Sequence, residues 1–286
     1  MQRHIIAILF MLLTATAVFT AEPKPDHARA EAQGNLPTFH ASPPTLTADA
    51  VFQYSAPVAR DKGQSTAFLW IPPDARQVRG IVMGGMTLTE REFAKDKRIR
   101  QACADRQLAI VFLTCGLGSI DIQKVLNDLA QLSGYREIAV APLMFVGHSA
   151  GGPQAKSSAV AMASRCFGLV QYRGGSPGGD PAVPAGVPCL MMVGQFDEFG
   201  GMMRNETGRE NWEGGVDALA AYRAKDARNL GSIVVEPGAG HFAWSDRNAQ
   251  YLAIFIRKAA QARIAEVWPV DAPEPVALRE IAYRDG

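Results

Sequence analysis

Val146-Gly147-His148-Ser149-Ala150-Gly151-Gly152 is the segment around which this chain is organised. An apolar run, Leu143 to Val146, leads into it, and a helix-compatible segment, Pro153 to Ser164, leads out. The order is strand, sharp turn, helix, with a serine at the apex. A serine held at such a turn has strained backbone angles, so the residues two positions to either side must lack a Cβ; both are glycine, Gly147 and Gly151. The next amide, that of Ala150, then falls at a helix N-terminus, where it can donate to a negative oxygen. A glycine-rich chain also produces such pentapeptides by chance. The flanking sequence therefore has to decide between an ordinary turn and a reactive serine.

Working outward, strands are predicted at Phe167 to Tyr172, Cys189 to Val193 and Ser232 to Val235. Helices are predicted at Val216 to Ala227 and at Asp246 to Ala262, the latter with Leu252, Phe255, Ile256 and Ala259 on one face. Upstream, Leu108 to Leu113 is nearly all apolar, which implies burial on both faces, as in a parallel sheet covered by helices. Before the quoted stretch, Ile122, Val125, Leu126 and Leu129 share a helix face, with Ser119 read as the cap. A strand from Gly80 to Met83 runs into Gly84-Gly85-Met86-Thr87. Thr89 and Glu92 read as a capping box for one helix that places Ile99, Ala102 and Cys103 together. Two antiparallel strands, Val51 to Tyr54 and Thr66 to Ile71, open the series. Strands alternating with helices make an α/β sheet. The connection Arg173 to Pro188 is short and rich in Gly and Pro, which leaves no room for a large helical lid.

The 286 residues carry a net charge of +1 and no basic cluster interleaved with aromatics, which argues against a nucleic-acid partner. Residues 1–21 read as an export signal: a polar start, an apolar stretch from Ile5 to Phe19, then Thr20 and Ala21. The apolar run is short for a membrane span and lacks a stop-transfer cluster, so no stable membrane insertion is expected after cleavage. The mature protein is accordingly expected to be secreted or periplasmic. Residues 22–45 read as a flexible lead-in, 46–264 as one domain, and 265–286 as a surface tail. Export makes the four cysteines candidates for disulfides, and Cys166–Cys189 is favoured because their strands are expected to be neighbours; four buried thiols are the alternative. No C-x-x-C pair or histidine spacing suggests a metal site.

A serine nucleophile needs a base, usually histidine, held in the right tautomer by a carboxylate. Of five histidines, His4 lies in the signal, and His27 and His40 in the lead-in. His148 adjoins Ser149 at a turn where neighbouring side chains diverge. His241 remains, in Gly238-Ala239-Gly240-His241-Phe242, directly after a predicted strand. The acid is sought between serine and histidine at a strand end. There Gly194-Gln195-Phe196-Asp197-Glu198 supplies Asp197, with Glu198 in reserve and Asp180 as a weaker alternative. A developing oxyanion needs two amide donors: Ala150, and one from the loop after the third strand, Gly85 first and Met86 second. Phe196, Phe242 and Trp244 flank the acid and the histidine and are candidates for a substrate pocket, core packing being the alternative.

On these residues the chain, from about Val51 to Ala262, resembles the α/β-hydrolase superfamily. The matching segments are Met83-Gly84-Gly85, the nucleophile elbow Gly147-His148-Ser149-Ala150-Gly151, Gly194-Gln195-Phe196-Asp197 and Gly240-His241-Phe242, in the family's order of serine, acid, histidine. Met83 departs from the pattern, since many relatives have histidine there. The resemblance implies a mostly parallel sheet of about eight strands with helices on both faces. Among relatives the chain is similar to compact, lidless secreted esterases of the dienelactone-hydrolase or polyester-depolymerase type. It implies a serine hydrolase for small-molecule or polymer-borne esters that needs no cofactor. A serine peptidase and a non-catalytic binding protein on the same scaffold are the alternatives.

Overall fold

The computed structural model describes residues 52–60, 63–85, 89–201, 211–266 and 277–281. The expected signal and lead-in lie outside the described residues. Tyr54–Ala59 (β1), Gln64–Trp70 (β2) and Gly80–Gly84 (β3) open the sheet, β1 alternating between buried and partly exposed residues as a strand with one wet face does. Leu108–Leu113 (β4), Leu143–His148 (β5), Cys166–Tyr172 (β6) and Cys189–Gly194 (β7) are buried at every residue, as uninterrupted apolar strands are between two helical layers. Gly231–Glu236 (β8) closes the series. The spatial order is β1-β2-β4-β3-β5-β6-β7-β8. β2 is antiparallel to both its neighbours and every other pair is parallel. This is the open, mostly parallel eight-stranded α/β-hydrolase fold.

The order also explains where the helices go. Glu90–Lys95 (α1) and Lys97–Ala104 (α2) join β3 to β4, a step in one direction along the sheet. Ile122–Ser133 (α3), Gly151–Ala161 (α4) and Asn211–Lys225 (α6, after the short α5, Glu198–Gly201) accompany steps in the other direction. Right-handed crossovers therefore put the two groups on opposite faces. Asp246–Arg263 (α7) returns to pack on α2. The direction of travel reverses between β3 and β5, and the crevice beyond the carboxyl ends of strands at such a switch is where open α/β sheets bind ligands.

Several local expectations are corrected. The first strand is Tyr54–Ala59, later than the Val51 to Tyr54 expected. The helix after β3 is two helices: Thr89, just before the first, has helical backbone angles and makes no side-chain cap, whereas Asp96 breaks the run and accepts from the amides of Arg98 and Ile99. Ser119 gives way to Asp121, whose carboxylate accepts from Lys124 N. Cys166 and Cys189 are free, buried thiols, as are Cys103 and Cys115. The register explains this: Cys189 pairs with Leu169, so Cys166 lies three residues back along β6, roughly 10 Å away at 3.3 Å per residue, too far for a disulfide. Burial pushes the Cys166 thiol up to about 12. Segment 173–188 carries neither helix nor strand. Of the tail, Leu278 packs on the core and Arg279 N donates to Arg263 O at 2.7 Å.

Candidate active site

The elbow is built on close backbone approach. Ser149 sits at φ 53°, in the left-handed region that costs a residue with a Cβ about 1–2 kcal/mol. Its amide donates to Tyr172 O and its carbonyl accepts from Gly152 N, both at 3.0 Å, which locks the turn between β5 and α4. A Cβ on Gly147 would stand 2.1 Å from Gly151 O, so that position admits glycine only. Ala150 is exposed at the N-terminus of α4. Pro153 is accommodated in the helix's first turn, where no amide donor is required.

Two further loops meet the elbow from the carboxyl ends of β7 and β8. Asp197 and His241 are only 6% and 4% exposed, and His241 Nδ1 donates to both carboxylate oxygens, at 2.9 and 3.0 Å. With Nδ1 committed as the donor, the other ring nitrogen, Nε2, is left as a base. Asp197 also accepts from Phe199 N at 3.1 Å. The two loops are tied together by Phe196 N on Ala239 O at 2.9 Å and by Gly238 N on Gln195 Oε1 at 3.0 Å. Glu198, the reserve acid, serves the backbone of the histidine and not its ring, with Oε2 accepting from the amide of His241 at 2.8 Å. That bond holds the Glu198 carboxyl below its usual range.

His148 joins the histidine loop to the elbow. Its Nε2 meets His241 O at 3.0 Å and the two rings lie 4.8 Å apart. On its other side, the amide of His148 donates to Glu90 Oε1 at 2.7 Å. β3 has already ended opposite Val146, so a buried carboxylate from the start of α1 supplies the acceptor that a strand would otherwise give. No sequence pattern pointed to Glu90 in this place. Burial pushes His148 down from 6.5 to about 4, against the opposing effect of its bond to His241 O. The unfolded chain binds a proton here below pH 6.5, while the folded chain does not until about pH 4. Stability contributed by neutral His148 is thus fully present above pH 6.5 and lost as pH falls toward 4, a loss of about 3 kcal/mol. Urea unfolding at pH 7 and pH 4.5 is expected to show that decline, and His148→Gln is expected to flatten it.

The other predicted positions divide. Gly85, one residue past β3, is buried, and a Cβ on it would stand 2.5 Å from Cys115 O. Met86 lies outside the described residues. Phe196 and Phe242 are 64% and 47% exposed at the rim, joined by Phe199, which no sequence pattern singled out and whose ring lies 4.6 Å from that of His241. Trp244 instead packs on Tyr172 at 5.8 Å and against the core. Among the described residues no group of three or more His, Cys, Asp or Glu converges as metal ligands do.

No protein-family model matches the sequence, and no curated protein matches it either. Similar solved structures include Est1E from Butyrivibrio proteoclasticus, at 12% identity over 72% of this chain and 99% of that one, with a TM-score of 0.47. The thermostable carboxylesterase EstE1, cloned from a metagenomic library, is 13% identical over 82% of this chain and 95% of its own, with a TM-score of 0.49. An S-formylglutathione hydrolase from Agrobacterium tumefaciens is 15% identical over 72% and 94%, also at 0.49.

Proposed function

We propose that this chain, an α/β-hydrolase fold with a serine at its elbow, is a serine hydrolase of carboxylic esters. The observation that carries the reading is the buried Asp197–His241 pair, fixed by His148 against the turn that bears Ser149. In the reaction, Ser149 Oγ attacks the ester carbonyl while His241 Nε2 takes its proton. Asp197 holds the imidazole tautomer and stabilises the cation that forms. The amides of Ala150 and of Gly85 or Met86 receive the oxyanion. His241 then returns the proton to the leaving alcohol, and water, activated in the same way, releases the acyl group. No step calls for a cofactor. The leader at 1–21 fits a secreted or periplasmic enzyme.

Hydrolysis of p-nitrophenyl acetate and butyrate by the purified mature chain, beside matching p-nitroanilides, is the direct test. Ester turnover well above anilide turnover is expected. Anilide turnover that equals or exceeds it makes the chain a peptidase, and no turnover of any ester overturns the reading. The exposed rings of Phe196, Phe199 and Phe242 offer an aromatic rim to the acyl group. A preference for p-nitrophenyl phenylacetate over the acetate is expected, and Phe199→Ala should reduce that preference about three- to tenfold, the worth of one aromatic contact.

A further inference from the structure

His241 is gripped by more than its ring. The peptide unit before it, the Gly240 carbonyl with the His241 amide, lies between opposite charges: Arg173 Nη1 donates to Gly240 O, and Glu198 Oε2 accepts from His241 N at 2.8 Å. Each charge meets the end of the peptide dipole that it stabilises. The carbonyl of His241 is held in turn by His148. The Gly240 carbonyl, the His241 amide and the His241 carbonyl thus each have a partner from another part of the chain.

Arg173 is the unusual member. It follows β6 at φ 52°, a left-handed angle that disfavours any residue with a Cβ. Its side chain is 1% exposed and its guanidinium lies over the Tyr172 ring at 4.7 Å. Nη2 donates to Glu236 Oε2 at 2.6 Å. Glu236, at the end of β8, also accepts from Ser245 Oγ and Asn248 Nδ2, and Asn248 reaches Tyr172 OH at 2.6 Å. Tyr172 OH donates to Ala243 O. The network encircles the 237–245 loop, which has no strand or helix of its own. A buried ion pair in a strained backbone is weak support for stability, because well-packed apolar groups serve that end as well. It does supply a directional donor at one carbonyl. We infer that Arg173, anchored by Glu236, is a positioning residue that sets His241 at the reach and angle needed to accept the Ser149 proton; this rests on the triad reading above.

The variant of choice is Arg173→Gly, because glycine adopts φ 52° without strain and leaves a guanidinium-sized space. With p-nitrophenyl butyrate, kcat is expected to fall about 100-fold, the cost of roughly 1 Å of misplacement, with KM within about threefold of wild type. The low-field proton NMR line of His241 Nδ1–H, assigned by its absence from Asp197→Asn, should weaken in Arg173→Gly. Guanidinium chloride, well below unfolding concentrations and against sodium chloride at equal ionic strength, should restore both. An unchanged kcat with an unchanged line overturns the inference, as does a fall in kcat that guanidinium leaves unrepaired. If Arg173→Gly does not fold, Arg173→Lys carries the same test: it keeps the charge and loses the fork, so wild-type kcat there overturns the inference. The NMR line needs no substrate. A chain that hydrolyses no ester yet shows the line, and its dependence on Arg173, would end the esterase reading and leave the positioning role standing.

Discussion

Ser149→Ala is expected to lower kcat for p-nitrophenyl butyrate by at least about 10,000-fold, with KM and thermal midpoint close to wild type. The residual rate is what bound substrate and the oxyanion amides sustain without a nucleophile. Labelling by a fluorophosphonate probe should vanish in the same variant. The fold should survive, because alanine meets the same strain at φ 53° as serine does. Ser149→Gly should likewise be inactive but raise the thermal midpoint, since glycine removes about 1 kcal/mol of that strain. A wild-type chain that does not label, or a Ser149→Ala chain that retains activity, would show that the turn is only a turn.

Asp197→Asn is expected to cost about 10,000-fold in kcat, because an amide in that place favours the wrong imidazole tautomer and cannot stabilise its cation. Glu198→Gln should cost no more than about tenfold. Glu198 meets a backbone amide, and the glutamine oxygen still accepts from His241 N, so only the gain from a charged acceptor is lost. Measuring kcat and KM for both variants with one ester separates the two adjacent carboxylates. A Glu198→Gln defect equal to that of Asp197→Asn would mean that the geometry has assigned the acid wrongly.

Much of this was legible in the residues. The apolar runs at β4 and β5 predict their strands to within two residues, because strands buried on both faces read as near-continuous apolar runs; the two residues missed, Gly147 and His148, lie past the end of the run in β5. Elimination among five histidines leaves His241 and strand-end placement favours Asp197 over its neighbour; the structure brings these two side chains to 2.9 Å of each other. The misses have a common cause. Asp96 capping a second helix and Asp121 capping the third are the same kind of short polar residue as Thr89 and Ser119, and local preference ranks them nearly equal. Cys166 and Cys189 do lie on adjacent strands, yet a disulfide depends on register, which the pattern of either strand alone leaves open.

The α/β alternation, the strand–turn–helix at Ser149 and a short list of candidate partners can be read from the residues alone. These follow from local rules: periodicity, the Cβ-free positions of a sharp turn, and the scarcity of histidine. It takes the assembled fold to show that Glu90 holds the amide of His148, that Glu198 holds that of His241, and that Arg173 holds the carbonyl of Gly240. Those partners lie 58, 43 and 67 positions apart. They meet because the strand order sets β3 beside β5, and β6, β7 and β8 in succession, and brings the loops at their carboxyl ends to one edge. A buried carboxylate or guanidinium is recognisable as a positioning group only once that edge is assembled around it.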